Sequence, residues 1–278
     1  MTTADLATAS ITDLTGILVG LSAVFGLLVG SFLNVVVHRV PAGLSVVHPG
    51  SSCPGCGHEI AWYDNVPVLS WLILRGRCRG CTEPISMRYP LVEAATGALF
   101  AATTWWLLPE HPGLVPWFLW LAAGAVALTL IDIEHLRLPT PILVVMAIGS
   151  VPGMVLAGVV SGEWPLLRVA LSALLWLFAI GAPWYLTAGR GMGFGDVKLA
   201  PILGAALGWL GWDVSIPGLG LAFLTGAVIG VLILLVRARR TPERQPIPFG
   251  PFLLGGAALS VVAGVPLSQT YLRLTGLA

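Results

Sequence analysis

Charge is what this sequence has least of. Only 14 basic and 13 acidic side chains occur among 278 residues, 10% of the chain, against about 25% in an ordinary soluble domain. So few charges cannot coat a globule of this size, which excludes a soluble enzyme. They form no basic stripe, which excludes a typical nucleic-acid binder. A hydrophobic content of 56% excludes a disordered chain. Several catalytic patterns are also missing. There is no H-E-x-x-H, and His38, His48, His58, His111 and His135 have no ligand spacing, so a metalloprotease is unsupported. There is no G-x-S-x-G, so a nucleophile elbow is absent. No Lys or Arg precedes the first apolar run; the segment before it carries Asp5 and Asp13 instead, the reverse of a cleavable secretory signal. The net charge of +1 says nothing about partners; the placement of the charges does.

What is present is apolar sequence in long blocks. A helix needs about 20 apolar residues to cross the hydrocarbon core. Eight spans are expected, at about 14–37, 91–109, 115–131, 139–160, 165–187, 197–212, 217–236 and 249–272. The sixth is the shortest and contains Pro201, so it is expected to be tilted, kinked or incompletely spanning. Eight alternating spans put Arg39, Arg75, Arg77, Arg79, Arg88, Arg137, Arg190, Lys198, Arg237, Arg239, Arg240 and Arg244 on one side. Only Arg168 and Arg273 fall on the other. The positive-inside rule then sets both termini outside and the 38–90 loop in the cytosol. The expected fold is therefore an all-α polytopic membrane protein with a small cytosolic zinc-binding loop domain. Its parts are an N-terminal segment and first helix (1–37), a four-cysteine domain (38–90) and a seven-helix membrane core (91–278).

The 38–90 segment is the one long connection. Its apolar stretch (Trp62, Tyr63, Val66, Val68, Leu69, Trp71 to Leu74) is too short to span once interrupted, and is expected to pack on the membrane surface or form a small knob. The segment also holds every cysteine. Cys53-Pro-Gly-Cys56 and Cys78-Arg-Gly-Cys81 are two C-x2-C pairs separated by 21 residues. Each pair reads as a knuckle whose glycine lets both thiolates face one ion, and four thiolates in a tetrahedron suit zinc. The spacer is slightly longer than the usual window. A cytosolic location keeps thiols reduced, which argues against two disulfides. A closed four-cysteine site has no open position for water, so it would stabilise rather than catalyse. His58 beside it reads as an exposed loop histidine.

Ionisable groups at the ends of spans are costly and usually functional. Four stand out: Glu93, Asp132, Glu134 and Asp196. Asp132 closes the third span, and Asp196 sits in Gly193-Phe194-Gly195-Asp196-Val197-Lys198 just before the sixth. The topology places both aspartates at the cytosolic face. Facing carboxyls cannot both ionise cheaply, so one keeps its proton. The ionised one would activate water while the protonated one polarises a carbonyl. Gly193 and Gly195 would permit backbone geometry that other residues resist. Taken singly, Gly193-Phe194-Gly195 also reads as an ordinary turn, and Asp132 as an interfacial residue. Lys198 would tune the pair or snorkel to the surface.

Six ordered motifs resemble the bacterial type IV prepilin peptidases, of the GxGD class of intramembrane aspartic proteases. They are Gly30 to Pro41, the two cysteine pairs, Arg88 to Glu93, Ile131-Asp132 with Leu138-Pro139, Met192 to Leu199, and Ile247 to Phe252. Two positions depart from the family pattern, which commonly has Asp where this chain has Glu134 and Thr140. The resemblance implies an endopeptidase that removes the short basic leader from prepilins and type II secretion pseudopilins, cutting at the cytosolic face of the cell membrane. Asp132 and Asp196 would be its catalytic pair. The cysteine-bearing loop implies the bifunctional form, which also methylates the new N-terminus with S-adenosylmethionine. Glu93 would help hold the substrate amine or the methyl donor, or else be a buried carboxyl bonded within the bundle. The rival readings are a proton-coupled transporter, whose duplicated halves are not evident here, and a non-catalytic assembly protein that docks through its zinc knob.

Overall fold

A computed structural model describes residues 3–53, 55–237 and 247–276. Arg239, Arg240 and Arg244 lie outside the described residues, as does Pro54 of the first cysteine pair. Nine α-helices occur among the described residues, and no strand: α1 (Thr3–Arg39), α2 (Leu69–Ile73), α3 (Arg88–Leu107), α4 (Val115–His135), α5 (Thr140–Ser161), α6 (Leu166–Leu186), α7 (Phe194–Leu210), α8 (Trp212–Arg237) and α9 (Gly250–Thr275). All but α2 correspond to the eight expected spans. Among the described residues six stretches are long and apolar enough to cross a membrane: Leu14–Arg39, Pro112–His135, Thr140–Ser161, Leu166–Leu186, Trp212–Ile233 and Gly250–Thr275. The chain is a multi-pass membrane protein. Besides the short α2, the helices outside that set are α3, which carries Arg88 and Glu93 in its first turns, and α7, only 17 residues long.

The chain divides into two compact units, Met1–Ala127 with Gly149–Gly162, and Leu128–Ile148 with Glu163–Ala278. In the first, α1 and α3 pack antiparallel at very close range, because glycines remove the side chains between them. A Cβ on Gly26 would come within 2.8 Å of the Gly97 Cα, and one on Gly30 within 2.7 Å of the Glu93 Cα. Small residues four apart are how membrane helices approach each other. The Asn34 amide donates to Tyr89 O at 3.3 Å and Thr104 Oγ1 donates to Ser22 Oγ at 2.8 Å, which fixes the register at both ends. The same device joins the start of α4 to the middle of α5, where Gly149 and Gly153 receive the rings of Trp120 and Trp117.

The second unit is built on α6, α7, α8 and α9. Gly204 and Gly208 lay α7 directly on Ser172 and Trp176 of α6. Ser172 Oγ donates to Gly204 O at 2.6 Å and shares a hydrogen bond with Ser215 Oγ, which also accepts from Trp176 Nε1 at 3.0 Å. These polar groups are fully buried and pair with one another across three helices, the arrangement that makes burial affordable. Arg168 donates to Gly208 O and Trp209 O at 2.8 and 2.7 Å, closing the carbonyl end of α7.

Candidate active site and metal centre

Both aspartates belong to the second unit, and each lies at a helix end. Asp132 is in the last turn of α4, one turn before the helix terminates at Leu136, which takes a left-handed φ of 53°. Pro139 and Pro141 then restart the chain as α5. Asp196 is in the first turn of α7. They are buried, at 5% and 6% exposure.

Each carboxylate accepts a backbone hydrogen bond from the N-terminus of a helix. Gly193 N–H donates to Asp196 Oδ2 at 3.2 Å, so Asp196 caps its own helix. Gly250 N–H, at the start of α9, donates to Asp132 Oδ2 at 3.0 Å. Helix N-termini carry partial positive charge and unpaired N–H groups, and so favour an anion there. The two carboxyls come from elements that meet at Leu138, which lies against both Gly195, next to Asp196, and Gly250, whose N–H binds Asp132. Asp196 Oδ1 is buried and has no hydrogen-bond partner among the described residues. An unsatisfied carboxylate oxygen is costly, which marks a place for a water or a substrate group.

Leu138 wedges between these elements. A Cβ on Gly195 would come within 2.7 Å of the Leu138 Cβ, and one on Gly250 within 3.2 Å of its Cδ2 and 2.7 Å of Asp132 Oδ2. Gly195 and Gly250 are therefore required by close approach. The expectation that Gly193 and Gly195 serve by unusual backbone geometry is not how they act: neither has a positive φ, and Gly193 is ordinarily extended at φ −75°. Lys198 neither reaches the aspartates by a hydrogen bond nor extends freely. Its Nζ donates to Thr140 Oγ1 at 2.9 Å and sits 4.6 Å over the Phe194 ring, which stacks on Trp184 at 5.0 Å. Gly250 was missed as a site residue; the sole sequence signal was Pro-Phe-Gly-Pro, whose second proline sits at a helix start.

Glu93 lies in the first unit. It is buried, and its Oε2 accepts from the Val68 N–H at 2.7 Å, so α3 holds the 38–90 segment by its backbone.

The four cysteines converge. Their sulfurs all lie within 4.8 Å of one another, and Cys53 Sγ and Cys81 Sγ are 3.7 Å apart. Zinc–sulfur bonds of about 2.3 Å in a tetrahedron separate sulfurs by about 3.8 Å. The cluster can hold a metal ion. The two knuckles repeat one backbone pattern. Cys53 N–H donates to His58 O and Gly57 N–H to Cys53 O; Cys78 N–H donates to Glu83 O and Thr82 N–H to Cys78 O, at 2.8 to 2.9 Å. Backbone N–H groups of Cys81 and Gly80 aimed at Cys78 pull its thiol down to about 6. At Cys81 the Glu83 N–H favours the thiolate, but the Cys56 sulfur, burial and the Cys53 and Cys78 sulfurs outweigh it and push the thiol up to about 12. Crowded sulfurs that cannot all ionise alone are what a divalent cation resolves.

Residues 24–107 match the bacterial peptidase A24 N-terminal domain and residues 118–235 match the type IV leader peptidase family. A protein of Aeromonas hydrophila named prepilin leader peptidase/N-methyltransferase is 38% identical, over 89% of this chain and 91% of its own. The chain belongs to the type IV leader peptidase family. Other relatives of the same name come from Pseudomonas aeruginosa, 36% identical over 90% of this chain and 92% of its own, and from Myxococcus xanthus, 43% identical over 82% and 67%. No solved structure matches the chain. The leader peptidase match spans Asp132 and Asp196, and the N-terminal match spans all four cysteines and Glu93.

Proposed function

We propose that this chain is a prepilin leader peptidase, an aspartic endopeptidase whose catalytic pair is Asp132 and Asp196. The observation that carries the reading is two buried carboxyls in one unit, each on a helix N-terminus, one with an unused oxygen. A water held at that oxygen loses a proton to the ionised aspartate and attacks the scissile carbonyl, while the other aspartate, protonated, donates to the carbonyl oxygen. The pair titrates as a unit. Gly195 and Gly250 let the chain close around the pair, and Gly193, Phe194 and Lys198 hold the loop beside it. The substrates are prepilins and type II secretion pseudopilins, whose apolar helix stays in the bilayer of the cell membrane while the basic leader is cut at the cytosolic face.

The chain also methylates the freed N-terminus, with S-adenosylmethionine as donor. The four cysteines hold zinc, which supplies a rigid cross-link and no open coordination position. Glu93, already engaged by Val68, positions this loop; if it instead held the amine or methyl donor, Glu93→Gln would lose methylation while cleavage continued.

The test mixes purified enzyme with a prepilin and follows the leader-length mass loss. Asp132→Asn and Asp196→Asn each lower the rate by about 10²–10⁴-fold with expression and metal content unchanged. Wild-type enzyme that cuts nothing, or either variant cutting at the wild-type rate, overturns the reading. Added S-adenosylmethionine gives a further methyl mass on the product.

A further inference from the structure

The apolar stretch between the two knuckles is held at a depth that a surface knob would not need. Val68 N–H is bonded to Glu93, five residues into α3 from Arg88, and Glu93 lies against Gly30, nine residues before Arg39 on α1. At 1.5 Å per residue, the Glu93 Cα lies about 8 Å along α3 from Arg88 and the facing Gly30 about 14 Å along α1 from Arg39, and the Glu93 side chain holds the Val68 N–H within its own reach of that level. Arg39 and Arg88 mark the headgroup level, so the stretch reaches the acyl boundary.

Its surface and its backbone both fit that depth. Trp62, Leu69, Leu72 and Ile73 are exposed, Trp62 at 83% and Ile73 at 76%. An apolar face of this kind has no purpose in water. Backbone in lipid must satisfy its own polar groups. Here Val66 N–H donates to Ser70 Oγ, Ser70 Oγ donates to Tyr63 O, and Val68 N–H donates to Glu93. The N–H groups of Leu69, Ser70, Leu72, Leu74, Arg75 and Gly76 all find carbonyls within 66–72, and Pro67 has none to satisfy. Trp71 Nε1 donates to Ile85 O at 3.1 Å, and Arg79 clasps Asp64 at 2.6 and 2.7 Å, so the stretch is tied to the second knuckle. Arg75 and Arg77 follow directly and are exposed, at the point where the chain returns to water.

We propose that residues 62–74 form a re-entrant wedge whose 66–74 turn inserts among the lipid acyl chains of the leaflet at the Arg39 and Arg88 end of α1 and α3, with the Asp64–Arg79 pair at the headgroup level and Glu93 as its buried hook. This does not depend on the peptidase reading. The test places a benzophenone amino acid at Ile73, and separately at Glu59 in the first knuckle, in full-length protein reconstituted into phosphatidylethanolamine and phosphatidylglycerol vesicles. Irradiation at position 73 gives acyl-chain adducts by mass spectrometry, at least several-fold more than at position 59. Equal yields, headgroup adducts only, or adducts to protein only overturn the proposal. The unmodified protein is labelled in parallel with a bilayer-soluble and a water-soluble carbene reagent. Peptide 62–74 takes up the first in preference to the second, and the reverse preference refutes insertion.

Discussion

Gly250 carries a demanding constraint for one residue. Its N–H feeds Asp132, and the place where a side chain would begin is 2.7 Å from the carboxylate oxygen it serves. A methyl group there must push Asp132 or Leu138 aside, and Leu138 is itself pressed against Gly195. Gly250→Ala is therefore expected to lower kcat by roughly 100-fold, the scale of a catalytic group misplaced by about an ångström, with little change in KM. Rate measurements on a purified prepilin check this, and an Ala variant with wild-type kcat would remove Gly250 from the site. The aspartates were legible in the sequence because a carboxyl at the end of an apolar run is chemically conspicuous. Gly250 was not, because its role is a contact 118 residues distant in the chain and glycine carries no chemistry to notice.

At the scale of elements, the α1–α3 pair rests on absent side chains. Gly30→Leu would drive a branched group into the α3 backbone at Glu93, and overpacking of that kind costs about 1–3 kcal/mol. It also loosens the Val68 bond to Glu93. Gly20→Leu, on the same helix, meets nothing within 4 Å and should be silent. Thermal unfolding in detergent distinguishes them: Gly30→Leu lowers Tm and Gly20→Leu does not. Equal Tm values for the two would dismiss the packing account. The eight long helices were readable because each is a mostly apolar run that needs no partner to be recognised, though only six of them are long and apolar enough to cross a membrane. The short α2 was not, since five residues set no period. Nor was the Ser172, Ser215 and Trp176 network, whose members are unremarkable until three helices bring them together.

For the molecule as a whole, the two candidate chemistries lie in different units. The cysteines belong to the first and the aspartate pair to the second. Among the described residues the knob has two isolated bridges, Ser52 with Glu59 and Arg77 with Pro84, and one buried cysteine, Cys53; each knuckle is closed by its own backbone bonds, and the four sulfurs are where a metal ion would join one knuckle to the other. The long helices, by contrast, satisfy their own backbones. Stripping the metal with a strong chelator, or substituting Cys53→Ser, is therefore expected to leave far-ultraviolet helical signal almost unchanged while bonds between residues 53 and 81 become open to protease. Metal binding and local folding are one event in such a site. Because Asp132 and Asp196 draw their hydrogen bonds from Gly250 and Gly193, none of it from the knob, leader cleavage should persist after metal loss. Measured together, metal content, proteolysis and cleavage rate separate the two roles: cleavage that vanishes in step with the metal would mean that the ion takes part in the peptidase reaction, and that the aspartate pair does not act alone.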